Sequence, residues 1–161
     1  MIDWQQLIAS FFGSLGFALI FLMRGAKVWW TSLGGAVAWF VYLVMGLYFT
    51  NFMLKMAVAG FVLGIYCESM AIYTRVPRTP YIAIGIIPLI PGAGLYYTVF
   101  YCYNGDMAQS LHYAKMASGT SAAIIVGLLF AMELWSIYRK AHSGQIDWHQ
   151  ELSISHLLPK R

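Results

Sequence analysis

The sequence predicts an all-α integral membrane protein, in which a bundle of five helices crosses the bilayer. Of the 161 residues, 60% are hydrophobic and only 10% are charged, and the mean hydropathy is +0.67. A soluble domain has about a quarter of its residues charged. The uncharged stretches divide into five segments of about 20 residues, the length that a helix needs to cross the hydrocarbon core. None alternates in polarity like the strands of an outer-membrane barrel.

The predicted spans cover residues of about 5–23, 30–49, 54–74, 80–103 and 117–138. Together they form a predicted transmembrane domain of residues 1–138, and residues 139–161 follow as a polar cytoplasmic tail. Asp3 stands where a signal peptide would carry basic residues, so we do not expect a cleaved leader. The longest internal loop is expected at about residues 104–116.

The basic residues predict the orientation. Eight of the ten fall on one side of the spans. These eight are Arg24, Lys27, Arg75, Arg78, Arg139, Lys140, Lys160 and Arg161. Lys55 and Lys115 fall on the other side. Because cytoplasmic loops carry the excess of Lys and Arg, the N-terminus is predicted outside and the C-terminus in the cytoplasm. The net charge of +4 is accounted for in this way and predicts no nucleic-acid partner.

An odd number of spans has a consequence for assembly. Five crossings place the two termini on opposite sides of the membrane, as in one half of an inverted-topology pair. Secondary transporters are commonly built from two such halves. Because this chain is small for a complete carrier, the sequence predicts that it is half of a larger transporter.

The third span contains a stripe of small residues that leads to an acid. Gly60, Gly64 and Glu68 follow one another four residues apart, a spacing that lets a second helix approach closely. An acid inside a span is costly and is by default a functional candidate. Glu68 is therefore a candidate for proton coupling or for binding a substrate ammonium group. The structural alternative is an ion pair with Arg75 or Arg78 near the cytoplasmic end.

The other titratable residues are weaker candidates. Glu133 lies close to Arg139 and Lys140, so an interfacial ion pair is the favoured interpretation and a functional role is secondary. Cys67 and Cys102 both fall within predicted spans, where they are expected to pack as small apolar side chains. The histidines of the tail lack metal-ligand spacing. We therefore expect neither a metal site nor a cofactor.

The fourth span is interrupted in its middle by "IPLIPGAG". Pro88 and Pro91 remove backbone donors that a continuous helix needs. Such freed backbone is tolerated in a membrane only where it faces protein or a water-filled cavity. Pro91 also suits the first position of a new helix. The sequence therefore predicts a break at Pro88–Gly92, with a second half-helix that begins at Pro91.

Such a half-helix would offer an anion site at mid-membrane. The amides of Gly92, Ala93 and Gly94 would form its open N-terminus, at the positive end of the helix dipole. A carboxylate is the natural ligand, and Tyr96 and Tyr97 are candidate wall residues just past the break. The structural alternative is a plain proline kink that only shapes packing.

These same residues carry a resemblance to a known family. The stretch "RVPRTPYIAIGIIPLIPGAGLYYTVF", followed by an "NGD" turn, resembles the C-terminal half of the threonine/serine exporter family. The matching positions are Pro77, Thr79, Pro80, Ile87, Pro88, Leu89, Ile90, Pro91 and Gly92. The pattern extends over all five spans, about residues 7–138, although outside this core only the hydrophobic pattern agrees.

The resemblance implies a function and a partner. The family occurs as one ten-helix chain or as two proteins, and this chain resembles the small, five-helix subunit. The partner would be a larger membrane subunit with five helices and a cytoplasmic region. The implied activity is proton-driven export of threonine, serine or similar carboxylate-bearing metabolites through the cell inner membrane. A dicarboxylate is the alternative substrate.

Two other functions stay open from the sequence. The chain could be a membrane scaffold or regulatory subunit that transports nothing, in which case the two prolines only shape an interface. It could also work as a homo-oligomer. An intramembrane enzyme is disfavoured, because no Ser/His dyad, His/Asp cluster or HExxH pattern occurs within the spans.

Overall fold

The computed structural model describes residues 3–142, and this part of the chain is all-helical. Its elements are α1 (Trp4–Ile20), α2 (Lys27–Tyr48), α3 (Phe52–Thr74), α4 (Thr79–Gly85), a 3₁₀ turn (Ile87–Leu89), α5 (Gly92–Tyr103) and α6 (Met107–His142). Most of the predicted tail, from residue 143 onward, lies outside the described residues.

Three of these helices are long and apolar enough to cross a membrane by themselves, namely α2, α3 and α6. A fourth crossing is possible if α4, the 3₁₀ turn and α5 count as one broken span, whose two parts are bent by 56°. The apolar α1 is shorter, with 17 residues. The multi-pass, all-α class is thus confirmed, whereas the count of five crossings and their orientation stay predictions.

The centre of the bundle is α3, which packs against α2, α4 and α6. The contact of α3 with α6 depends on glycine. A Cβ added at Gly60 would lie 2.6 Å from the carbonyl oxygen of Ile124, and one added at Gly127 would lie 2.0 Å from that of Ala57. The predicted close approach at the small-residue stripe is therefore confirmed, and the helix that approaches is α6.

The contact of α3 with α2 has a polar component. The hydroxyl of Tyr66 donates a hydrogen bond of 2.7 Å to the backbone carbonyl of Trp30. Gly34 makes room for the ring, since a Cβ there would lie 2.9 Å from it. Asn51 caps the start of α3, because its side chain accepts from the amides of Met53 and Leu54.

The fourth predicted span joins two different parts of the bundle. Its first part, α4 with the 3₁₀ turn, packs against α1, α2 and α3 and buries Tyr81, Ile84 and Leu89. Its second part, α5, packs against α6, and none of the residues described in α5 is buried. The break therefore redirects the chain from the core to the edge of the bundle.

The prediction of a long loop at residues 104–116 is wrong. The turn is confined to a few residues, because α6 already begins at Met107. Asp106 caps the new helix, since its side chain accepts from the amide of Gln109 at 3.0 Å. The prediction failed because it relied on hydropathy, and the first turns of α6 are helical but polar.

Candidate functional site

The break in the fourth span is built from two tight turns. The amide of Ile90 donates to the carbonyl of Ile87 at 3.2 Å, and the amide of Gly92 donates to the carbonyl of Ile90 at 2.7 Å. Pro91 is the central residue of the second turn, with a ψ of 59°, which is not helical. The second half-helix therefore begins at Gly92, with Pro91 as its N-cap, and the predicted start at Pro91 is one residue early.

This geometry changes which amides are available at the start of α5. The Gly92 amide is already used within the turn. The amides of Ala93 and Gly94 belong to the first turn, where a helix offers no carbonyl partner of its own. Gly92 and Ala93 are exposed, and a Cβ added at Gly92 would meet no atom within 4 Å. The open part of the helix end is thus centred on Gly92 and Ala93.

Gly94 has a different environment from Gly92. A Cβ added at Gly94 would lie 3.1 Å from the Cβ of Ala117 on α6. Its α-carbon therefore faces the neighbouring helix, and its lack of a side chain permits the contact between α5 and α6.

Pro88 lies on the inner side of the break. At the crossing of α1 and α2, a Cβ added at Gly35 would lie 2.0 Å from the Ser14 hydroxyl oxygen and 3.2 Å from the ring of Pro88. The Ser14 hydroxyl is buried and has no hydrogen-bond partner among the described residues. No pattern in the sequence indicates this junction, because a single serine within a span predicts no particular contact.

The two tyrosines past the break are part of an aromatic cluster. Tyr96 is 63% exposed, and its ring stacks on that of Phe100. Tyr97 contacts the rings of Tyr101 and Tyr113, so it links α5 with α6. Aromatic packing is therefore present at both predicted wall residues, stacked at Tyr96 and tilted at Tyr97.

Glu68 lies elsewhere, at the end of α3. Its side chain is buried, and the residue is only 6% exposed. It forms an ion pair with Arg78, which precedes α4 and is itself half-exposed. The cavities that Glu68 lines include none of residues 88–94, so Glu68 and the break form two separate candidate sites.

The surroundings of Glu68 are basic. Two adjoining cavities of about 280 and 450 Å³ are both lined by Glu68, Arg78 and Arg139. Arg75 lines the larger cavity. In the sequence, these arginines predicted the orientation of the chain or an ion pair with Glu68. Their shared position was not predicted, because it depends on the contact between the loop after α3 and the end of α6. Glu133, the secondary candidate, is exposed on α6 and lines neither cavity.

Apolar spanning helices and an interrupted span with an open helix end define a class, that of multi-pass membrane transport proteins. The chain belongs to the threonine/serine exporter family, because the family model described as "Threonine/Serine exporter, ThrE" matches residues 6–134. The predicted family resemblance is thereby confirmed, and membership favours transport over catalysis. No curated protein and no solved structure gives a match.

Proposed function

We propose that this chain is one half of a secondary transporter that exports small carboxylate-bearing metabolites. The other half would be a larger subunit of the same family, with five helices and a cytoplasmic region, in the cell inner membrane. The observation that carries this proposal is the open start of α5. Its first turn is exposed around Gly92, on a half-helix that packs against α6 and buries none of its residues. A second transporter half would enclose this helix end.

The substrate carboxylate would bind the first-turn amides of α5. Helix N-termini attract anions through unpaired N–H groups and the positive end of the dipole. The open space at Gly92 allows a ligand to approach the backbone closely. Pro88 and Pro91 would hold the break in shape, and Tyr97 would form part of the wall. Threonine or serine is the substrate that the family indicates, with a dicarboxylate as the alternative.

Glu68 would couple export to protons. An acid that pairs with Arg78 in the ionised form loses the ionic attraction to that partner when it is protonated. A change at this pair can therefore loosen the link between α3 and the loop before α4, and α4 leads directly to the break. The secondary candidate, Glu133, would take part only if the partner subunit covered its exposed face.

The carboxylate site can be tested by substituting two glycines that both have open space around them, Gly92 at the break and Gly16 on α1. Gly92→Leu should reduce export of labelled threonine or serine from proteoliposomes holding both subunits by more than about tenfold, because the side chain fills the ligand space. Gly16→Leu is the control, since a Cβ at Gly16 also meets no atom within 4 Å but lies on α1. Both variants should assemble normally. Normal export by Gly92→Leu would refute the site.

Proton coupling has its own test. Glu68→Gln should abolish export driven by a pH gradient, because the amide cannot bind and release a proton. The variant should still exchange labelled for unlabelled substrate across the membrane. The exchange assay separates loss of coupling from loss of folding. If Glu68→Gln still responds fully to the gradient, Glu68 is not the coupling group. If instead the variant lowers only the yield of the complex, the scaffold alternative gains support.

A further inference from the structure

The basic cavities around Glu68 are a second place where an anion can bind. The arginines of the cavity walls come from separate segments, with Arg75 and Arg78 in the loop between α3 and α4, and Arg139 near the end of α6. The described carboxylate in these walls is that of Glu68. Three guanidinium groups and the ammonium group of Lys140 therefore line these walls together with one carboxylate, which is an excess of three positive charges.

The backbone holds one of these arginines in an unusual conformation. Arg75 ends α3 with a φ of 53°, in the left-handed region. A residue with a Cβ adopts this conformation at a cost, so asparagine or glycine is the usual choice at such a helix end. Here the position carries a long cationic side chain instead, and it lines the larger cavity. The left-handed conformation ends α3 at this residue, so Arg75 begins the loop that leads to α4.

The other residues that line the smaller cavity are of types found at the membrane–water interface. Trp135, Met132 and Ser136 of α6 line the smaller cavity together with Arg139. Tryptophan is typical of the headgroup level of a bilayer, and basic residues that follow it bind anionic groups there. The cavity therefore combines a largely apolar wall with a cationic one, an arrangement that suits the headgroup region of an anionic lipid.

We propose that this basic cavity binds a phosphate-type or carboxylate-type oxyanion, through the guanidinium groups of Arg75, Arg78 and Arg139. Arginine is suited to this role because its planar fork donates two parallel hydrogen bonds to such groups. Glu68 acts as the internal counter-ion, which holds Arg78 in place and competes with the ligand for it. The oxyanion is supplied either by the headgroup of an anionic lipid or by a free anion. The proposal does not depend on the substrate site at the break.

The test compares two charge-matched double variants of the full chain. Arg75→Gln/Arg139→Gln should weaken binding by about tenfold or more, because it removes two ligands of the oxyanion. Arg24→Gln/Lys27→Gln removes the same charge from exposed residues in the loop before α2 and at the first position of α2, and should change binding by less than about twofold. Arg78 is left intact in both, since its loss would strand the buried Glu68 carboxylate.

Two probes distinguish the source of the oxyanion. Retention of phosphatidylglycerol over phosphatidylcholine in native mass spectrometry reports a lipid headgroup, and calorimetry with inorganic phosphate reports a free anion. Binding of either probe that depends on Arg75 and Arg139 supports the site. Equal losses in the two double variants would show that only surface potential attracts the anion, and would overturn the proposal. So would the lack of binding of both probes to the unmodified chain.

Glu68→Gln provides a test in which binding of the oxyanion is expected to become stronger instead of weaker. The amide still hydrogen-bonds Arg78 but no longer competes for it by charge, so affinity for the bound probe should rise by a few-fold. A merely structural role for Glu68 predicts unchanged or weaker binding. Either of those results would overturn the part of the proposal in which Glu68 and the ligand share Arg78.

Discussion

The two parts of the broken span are both free of charged residues, but they have different environments in the bundle. In α4 and the 3₁₀ turn, Tyr81, Ile84 and Leu89 are almost fully buried. In α5, by contrast, large side chains such as Leu95 and Tyr103 are exposed, and none of the described residues is buried. The first part is a core element, and the second is attached to the bundle along one face.

The difference shows that one membrane span can contain both a buried part and a peripheral part. Lipid is as apolar as leucine, so hydrophobicity does not tell a buried face from a lipid-facing or partner-facing one. The contacts decide instead, and the contacts of α5 are with α6. The break allows the first part to anchor the span while the second part presents its open end and aromatic face.

The largest expected difference comes from a matched pair of leucines. Leu89 in the 3₁₀ turn is fully buried, whereas Leu95 in α5 is 54% exposed. Leu89→Ala should lower the free energy of unfolding by about 2–3 kcal/mol, because it leaves a cavity in the core. Leu95→Ala should change it by less than about 0.5 kcal/mol. Both values can be measured by titration with a denaturing detergent, followed by tryptophan fluorescence.

Similar losses for the two leucine variants would contradict the division of the span. In that event α5 would be as firmly packed as α4. A smaller loss for Leu89→Ala than for Leu95→Ala would reverse the roles of the two parts.

The two glycines at the start of α5 differ in environment within a single turn. Gly94→Leu should destabilise the fold by about 1–3 kcal/mol, because the side chain would be forced against Ala117. Gly92→Leu should leave the unfolding free energy within about 0.5 kcal/mol of its original value, since the added side chain meets open space. The same detergent titration measures both. Equal destabilisation would mean that the break is packed on both sides and offers no ligand space.

Much of this architecture could be predicted from the sequence, because its causes are local. The proline pair and the following glycine determine where the fourth span breaks, and the structure differs by one residue because the Gly92 amide closes a turn with Ile90. The glycines of α3 likewise predicted a close helix contact, since their spacing places them on one face.

The remaining features depend on which segments meet in space. Nothing local distinguishes Gly92 from Gly94, yet only Gly94 faces α6. The cluster of Arg75, Arg78 and Arg139 requires the end of α6 to reach the loop after α3, about 60 residues away in sequence. Periodicity and charge counting describe single helices, so they do not reveal such long-range contacts.

The smallest expected effect concerns how α5 is held on α6. The hydroxyl of Ser110 on α6 donates to the carbonyl of Thr98 on α5 at 2.8 Å, whereas the hydroxyl of Ser118 donates to Lys115 within its own helix at 3.1 Å. Ser110→Ala should cost about 0.6 kcal/mol, the average for a hydrogen bond between membrane helices. Ser118→Ala should cost less than that.

Because the effect is small, amide hydrogen exchange is a better measurement than global unfolding. Ser110→Ala should speed exchange by about two- to threefold in α5 and leave α4 unchanged, since only the attached half loses a contact. Faster exchange in both halves would mean that the broken span opens as one unit. Faster exchange in α5 alone would show that α5 opens independently of α4.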